Sequence, residues 1–222
     1  MIHIAVDGPS GAGKSFLAKS VAKRLGIIYV DTGALYRAVG LCASRAGIPL
    51  DGCGAVTELL PGIALSIRYT DAGQRVFVGD EDVSGLIRSP EISMYASAVS
   101  AIPEVRSFLL GTQRDIAASN SVIMDGRDIG TVVLPDADVK VFITASAEER
   151  ARRRCRELEQ KGNPTPYEEV LRDIEYRDKQ DSTRAVAPLK PAEDAVMLDN
   201  SDFTAEQTLE ALLRIVAEKT GK

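Results

Sequence analysis

Residues 2–15 read Ile-His-Ile-Ala-Val-Asp-Gly-Pro-Ser-Gly-Ala-Gly-Lys-Ser, an apolar run that leads into a glycine-rich loop. The loop matches G-x-x-x-x-G-K-[ST], the phosphate-binding loop (P-loop) motif, which requires a strand before it and a helix after it. The apolar run predicts the strand, and the spacing of Phe16, Val21 and Leu25 predicts a helix packed on a sheet. A turn without a ligand would not need the Lys-Ser ending. The predicted nucleotide site comprises Gly8, Pro9, Ser10, Gly11, Ala12, Gly13, Lys14 and Ser15.

The chemistry of this loop predicts both a donor nucleotide and a metal ion. Glycines let consecutive backbone N–H groups converge on phosphate oxygens at the positive end of a helix. Lys14 would then reach the β- and γ-phosphates of ATP, while the Ser15 hydroxyl would help hold Mg²⁺. A second buried strand, 122–125, ends in Asp125. A carboxylate at such a strand tip is typical of Mg²⁺ binding, directly or through water.

Composition limits the remaining possibilities. The 222 residues suffice for a single α/β domain, 1–222, with insertions. A net charge of -5 gives no general reason to bind nucleic acid or an anionic membrane. The three cysteines are widely spaced and predict neither a disulfide framework nor a zinc site. We expect a cytoplasmic protein without nucleic-acid or membrane partners, and a monomer, because no long exposed apolar stripe stands out.

Strands and helices alternate along most of the chain, which predicts a three-layer α/β P-loop NTPase fold with a central parallel sheet. The predicted strands after the first are 27–30, 122–125, 139–143 and 195–198, and the predicted helices include 92–101, 103–119, 146–160 and 167–182. Ser146 with Glu149, and Thr204 with Gln207, are predicted capping boxes.

Two segments depart from this alternation. The runs 63–69 and 74–78 flank Asp71-Ala72-Gly73, which is typical of a β-hairpin. Because a hairpin is out of place between parallel strands, we predict a small inserted subdomain at about 63–95. Two polar helices joined by a Gly-Asn-Pro break predict a flap, or lid, at about 148–184, since few apolar residues would bind them to the core.

The chain lacks the N-K-x-D motif of GTPases and the signature of transporter ATPases, so neither of these classes of P-loop protein is indicated. Its arginines are the remaining feature that can indicate a function. Phosphoryl transfer between two anionic phosphates requires several cations beyond the loop lysine. Arg127 follows a core strand and is predicted to be functional rather than part of a surface ion pair. For the arginines of 150–156, ordinary pairs with Glu148 and Glu149 are an equally good interpretation.

Four blocks of sequence carry a resemblance to a known family. They are Asp-Gly-Pro-Ser-Gly-Ala-Gly-Lys-Ser at 7–15, Asp-Thr-Gly-Ala-Leu-Tyr-Arg at 31–37, Asp-Gly-Arg-Asp-Ile-Gly-Thr at 125–131, and Arg-Asp at 177–178 continuing through Asp181 to Arg-Ala-Val-Ala-Pro-Leu at 184–189. In this order they resemble the bacterial cytidylate kinases over nearly the whole chain. The resemblance implies ATP-dependent phosphorylation of CMP and dCMP on a nucleoside monophosphate kinase fold of core, monophosphate-binding insert and lid.

The resemblance also implies roles for individual residues. Those implied to hold the acceptor phosphate are Arg37, Arg127 and Arg184; those implied to read cytosine are Ser97, Arg106 and Asp128; those implied to contact the ribose are Arg177 and Asp181. Arg152, Arg153 and Arg154 would belong to the lid, with Arg153 and Arg154 touching ATP. At the position of Thr32 the family often has Ser, so the side-chain hydroxyl is kept. Tyr36 could stack on a base or simply pack within the protein.

Two alternative functions remain open from the sequence. One is a kinase for a different nucleoside monophosphate. The other is a nucleotide-binding switch that hydrolyses slowly and shows no dependence on a phosphate acceptor. In the preferred interpretation, Lys14, Arg127 and Arg184 supply the catalytic charge neutralisation.

Overall fold

The computed structural model describes residues 1–70, 73–160 and 162–221. It divides into two compact units, one of Met1–Ile28 with Ser121–Lys222 and the other of Tyr29–Asn120. In chain order the elements are β1 (His3–Asp7), α1 (Lys14–Leu25), β2 (Ile28–Asp31), α2 (Thr32–Arg45), α3 (Cys53–Leu59), β3 (Leu65–Thr70), β4 (Gly73–Val78), β5 (Glu81–Asp82), α4 (Pro90–Val99), α5 (Pro103–Ser119), β6 (Val122–Gly126), β7 (Val139–Thr144), α6 (Ala147–Gln160), α7 (Tyr167–Thr183), β8 (Val196–Asp199) and α8 (Ala205–Thr220).

The central sheet has five strands, four of which lie in the first unit in the order β6-β1-β7-β8. All four are parallel, and Val6 of β1 stands opposite Asp125 of β6 and Val141 of β7. The middle of β1 is fully buried, as expected for a strand covered on both faces. The predicted α/β fold is confirmed, and the carboxyl ends of these strands bring the phosphate-binding loop and Asp125 to one edge.

Helix α1 begins at the loop and ends at Gly26, whose φ of 64° lies in the left-handed region. Its buried face consists of Leu17, Ala18, Val21 and Ala22. The prediction that Phe16 packs inward is wrong, because its side chain is 57% exposed. A helix that follows a tight loop is oriented by the loop, and here the loop turns the face beginning at Leu17 toward the sheet.

The last three helices complete the first unit. Helices α6 and α7 pack through a small cluster of Ala151, Val170 and Ile174. Helix α8 begins with the predicted capping box, in which Thr204 accepts from the N–H of Gln207 while the Gln207 side chain accepts from the N–H of Thr204. None of the described helices is long and apolar enough to cross a membrane.

The second unit contains the predicted hairpin. Strands β3 and β4 pair antiparallel from Leu65 opposite Val78 to Thr70 opposite Gly73, and β5 adds a short third strand. The two turn residues Asp71 and Ala72 of the predicted hairpin lie outside the described residues.

Helices α2, α4 and α5 form the core of the second unit around Leu35, Val39, Val99 and Leu109. Helices α2 and α4 approach closely at Gly40. A Cβ placed on Gly40 would lie 3.0 Å from both the Cβ of Tyr95 and the N of Ala96. The separation of these two helices therefore depends on the absence of a side chain at this position.

Candidate active site

The phosphate-binding loop between β1 and α1 is closely packed on β7. Gly8 has a φ of 146°, and a Cβ placed on it would lie 1.9 Å from the carbonyl oxygen of Ile143. No side chain fits there, so the first glycine of the motif is required by β7 as well as by its own backbone conformation. Gly11 and Gly13 also have positive φ angles, of 78° and 85°.

Lys14 is buried at the start of α1. Its Nζ donates to the carbonyl oxygen of Pro9 at 2.7 Å, within the loop itself. Burial, followed by the charge of Arg127, lowers the pKa of Lys14 to about 7. A lysine in this environment gains most from an anionic partner, because a phosphate would compensate for the cost of burying the ammonium group.

Ser15 and Asp125 lie side by side, as the motif and the strand-tip carboxylate predict. The Ser15 hydroxyl donates to Oδ2 of Asp125 at 2.6 Å. Mg²⁺ prefers oxygen ligands and keeps several waters, and it is usually bound through one or two carboxylates and substrate phosphates. The side-chain oxygens of Ser15 and Asp125, at the end of the phosphate-binding loop, are ligands of this kind.

Arg127, which follows β6, and Arg184, which follows α7, share one carboxylate. Arg127 Nε donates to Oδ2 of Asp181 at 2.7 Å, and Arg184 Nη1 lies 3.7 Å from the other oxygen of Asp181. A second contact of 3.7 Å joins Arg184 Nη2 to Asp128. Burial alone would lower the pKa of Arg127, but Asp181 holds it above its usual value. The guanidinium groups thus keep their charge in a buried site, which suits the binding of an anion.

The two residues implied to contact the ribose have different protein partners in this structure. Arg177 Nε lies 3.2 Å from Asp173, one turn earlier on α7, whereas Asp181 contacts the two arginines described above.

The arginines of α6 also have partners within the protein. Arg153 donates to the carbonyl and side-chain oxygens of Asn200, at 2.7 and 3.0 Å, and forms the predicted pair with Glu149. Arg152 contacts Glu149 rather than Glu148, so that predicted pair is wrong. Arg154 pairs with Glu157 near the surface.

Asp31 organises the first turn of α2 in the second unit. Its carboxylate caps the helix by accepting from the N–H of Ala34 at 3.0 Å, and it contacts Arg88 at 2.9 Å and Arg37 at 3.7 Å. Burial would raise the pKa of Asp31, but the nearby Arg37 and Arg88 hold it below its usual range. The neighbouring Thr32 is buried.

Five of the predicted substrate residues lie on helices of the second unit, namely Thr32, Tyr36, Arg37, Ser97 and Arg106. The guanidinium of Arg106 is 5.5 Å from the ring centre of Tyr36 and donates to the carbonyl oxygen of Ser100 at 3.0 Å. Tyr36 therefore packs against this cation. Ser97 lies nearby in the chain on α4, and its carbonyl oxygen accepts from the Ser100 hydroxyl.

Sequence reasoning assigned no role to Asp7. This buried carboxylate at the end of β1 accepts from the N–H groups of Ile129 and Gly130, each at 2.8 Å. These two residues open a short π-helix directly after Asp128. An acidic residue in an otherwise apolar buried strand is a sequence signal that could have identified this anchor.

Asp7 should leave a signature in the pH dependence of stability. Burial raises its pKa from an ordinary 3.8 to about 6, despite the two N–H donors. The folded state then holds a proton that the unfolded state has lost, so stability falls as the pH rises from about 4 to about 6. Relative to Asp7→Asn, wild type should lose up to about 3 kcal/mol of unfolding free energy over this interval. Urea unfolding of both proteins across the interval tests this, and parallel pH profiles would contradict it.

Comparison with known proteins agrees with this geometry. The family model described as cytidylate kinase matches residues 4–218. A protein named cytidylate kinase from Exiguobacterium sp. is 50% identical over 217 residues, covering 98% of this chain and 97% of the relative. Another of that name, from Geobacter sp. strain M21, is 50% identical over 221 residues, covering 100% and 95%.

Among solved structures, the shikimate kinase of Bacteroides thetaiotaomicron has a TM-score of 0.50 at 12% identity, covering 100% of this chain and 99% of that one. At this identity the likeness concerns the fold alone, and it agrees with the parallel sheet and phosphate-binding loop. The family model matches nearly the whole length of the chain, and relatives of about 50% identity match over nearly their full length. The chain therefore belongs to the cytidylate kinase family.

Proposed function

We propose that this chain transfers the γ-phosphoryl group of ATP to the phosphate of CMP or dCMP, giving ADP and CDP or dCDP. The observation that carries the proposal is the partly buried group of Arg127, Arg184 and Asp181 in the same unit as the phosphate-binding loop. Arg127 is close enough to Lys14 to lower its pKa, so donor-side and acceptor-side cations converge. Family membership supports the same activity.

Positioning and charge neutralisation account for the reaction. The acceptor phosphate is already an anion at neutral pH, so no general base is needed. Lys14 neutralises the transferring group, and Arg127 and Arg184 hold the acceptor phosphate in line with it. Mg²⁺ held by Ser15 and Asp125 would supply further neutralisation at the ATP phosphates. An acceptor phosphate would take over part of the contact that Asp181 now makes with Arg127.

The remaining substrate contacts are proposed on chemical grounds. Arg37 is proposed as the third arginine that binds the acceptor phosphate, beside Arg127 and Arg184. Thr32 and Tyr36 are proposed to line the acceptor side. Ser97, Arg106 and Asp128 together offer donors and an acceptor for the edge of cytosine. Arg177 and Asp181 are proposed to contact the ribose, and Arg153 and Arg154 are proposed to face ATP.

The domain roles belong to the same proposal. Residues 63–95 form the monophosphate-binding insert, and 148–184 form the lid that closes over the phosphates. The protein works as a monomer in the cytoplasm, a proposal supported by the net charge of -5 and the lack of a long apolar stripe in the sequence.

An acceptor screen tests this function. ATP and Mg²⁺ are supplied with CMP, dCMP, UMP, AMP or GMP, and the diphosphate product is measured. Fast turnover with CMP and dCMP is expected. A preference for another acceptor would indicate a different nucleoside monophosphate kinase, and ATP hydrolysis independent of any acceptor would indicate a nucleotide switch.

Asp128 is expected to determine specificity for the base. Cytosine presents a 4-amino group, which a carboxylate accepts, whereas uracil presents a carbonyl at the same place. A site built to bond an amino group can reject an analogue without it by several orders of magnitude. Asp128→Asn, which offers both a donor and an acceptor, should lower kcat/KM for CMP and narrow the CMP to UMP ratio by about tenfold or more.

The control for this variant is its melting temperature, because Asp128 also contacts Arg184. An unchanged CMP to UMP ratio, with a lower melting temperature, would remove Asp128 from base recognition. It would then remain an ion-pair partner of Arg184.

A further inference from the structure

Arg150 differs from the other arginines of α6 in its burial and in its partners. Its side chain is only 5% exposed, whereas those of Arg152, Arg154 and Arg156 are 60, 43 and 65% exposed. Such deep burial of a charged side chain is rare unless the charge is paired. Arg150 is therefore held by the interior of the protein.

The guanidinium of Arg150 joins three separate parts of the first unit. Nε donates to the carbonyl oxygen of Ala145 at 2.9 Å, just after β7. Nη1 donates to the carbonyl oxygen of Ser10 in the phosphate-binding loop at 3.1 Å and to Asp178 Oδ1 at 3.0 Å. Nη2 donates to Asp178 Oδ2 at 2.6 Å, which completes a bidentate pair. Only the planar fork of an arginine can satisfy all these acceptors at once.

The stem of Arg150 also lies against the loop. A Cβ placed on Gly11 would be 3.2 Å from the Cβ of Arg150. The loop, α6 and α7 thus meet at one side chain. The two polar helices, predicted to have few apolar residues that bind them to the core, are connected to the loop here by a charged pair.

Helix α7 continues from this connection to the acceptor side. Asp181 lies three residues after Asp178, so the two carboxylates occupy the same face of the helix. Asp181 holds Arg127 at 2.7 Å, and Arg184 follows at the end of the helix. One short helical segment therefore links the donor loop to the acceptor arginines.

We propose that Arg150 and Asp178 form a positioning pair that holds Asp181 and Arg127 in register with the phosphate-binding loop. The inference rests on the proposed kinase function and assigns no contact with substrate to either residue. Burial of the Arg150 charge has a desolvation cost that pairing with the partly exposed Asp178 only offsets, so stability alone does not account for this pair. Alignment of two reacting phosphates does, because a misplacement of about 1 Å can cost about 100-fold in rate.

The test uses Asp178→Asn, Arg150→Lys and the double variant. Each single variant should lower kcat by about tenfold or more at saturating ATP and CMP, while calorimetric binding of ATP stays within about threefold of wild type. Because the two residues act as one unit, the double variant should be no slower than the slower single variant. Asp178→Asn keeps the shape of the side chain, so it tests the proposal even if Arg150→Lys folds poorly.

Arg45→Lys is the matched control. Arg45 forms another bidentate pair, with Glu81 at 2.6 and 2.8 Å, outside the candidate site. Its replacement should leave kcat unchanged. Circular dichroism gives the folded fraction, and kcat is expressed per folded molecule. Values within about twofold of wild type for both single variants, or losses that multiply in the double variant, would overturn the proposal.

Failure of the proposed function would be visible separately. It would show as the absence of diphosphate product from wild type in the acceptor screen. Loss of alignment would instead show in the variants only, measured with the acceptor that wild type turns over fastest.

Discussion

Lys14→Ala is expected to lower kcat by at least about 100-fold while the protein remains folded. The lysine strengthens its contact as negative charge builds between donor and acceptor, and such an interaction accelerates the reaction rather than only binding substrate. Folding should tolerate the change, because burial disfavours the charged ammonium and its hydrogen bond is made to Pro9 within the loop itself. Steady-state kinetics at saturating ATP and CMP, with a thermal melt, provide the measurement.

Lys23→Ala is the matched control, since Lys23 is exposed on the same helix. It should retain wild-type turnover. Retention of more than about a tenth of the wild-type rate by Lys14→Ala would contradict a role in the transition state.

Arg127→Ala is expected to reduce kcat/KM for CMP by at least about 100-fold, with ATP binding nearly unchanged. Arg127 follows β6 and is held by Asp181, so its loss removes a cation from the acceptor side and leaves Asp181 with Arg184. Calorimetric titration of ATP and CMP, each alone, separates the two sides.

Arg127→Lys refines the experiment. A lysine restores the charge without the fork that pairs with a phosphate or a carboxylate, so it should recover only part of the CMP affinity. If both ATP and CMP affinities fall equally in Arg127→Ala, then Arg127 supports the local structure rather than the acceptor.

Features set by local sequence could be predicted well. The phosphate-binding loop, the strand ending at Asp125 and the capping box of Thr204 with Gln207 depend on residues close together in the chain, and the structure contains all three. Such motifs place their own hydrogen-bond partners within a few positions. The fold class follows from their alternation along the chain.

A contact between distant residues could be predicted only where a motif names both partners, as for Ser15 and Asp125. Asp7 and Arg150 bond groups 122 to 140 residues away, and no spacing rule connects such positions. Arg177 is the opposite case, because its partner Asp173 lies four residues earlier on the same helix. In α5 the polar residue Gln113 is buried beside Leu109 and Ala117, since the packing of neighbouring helices decides the final rotation of a helix.

The close approach of α2 and α4 at Gly40 has a consequence for how acceptor specificity could change. Arg37, proposed to bind the phosphate, lies one turn before Gly40 on α2. Ser97, proposed to contact the base, directly follows Tyr95 and Ala96, the residues of α4 that face Gly40. A methyl group at position 40 would push the two helices apart, so the size of acceptor that is accepted could evolve through a residue that touches no ligand.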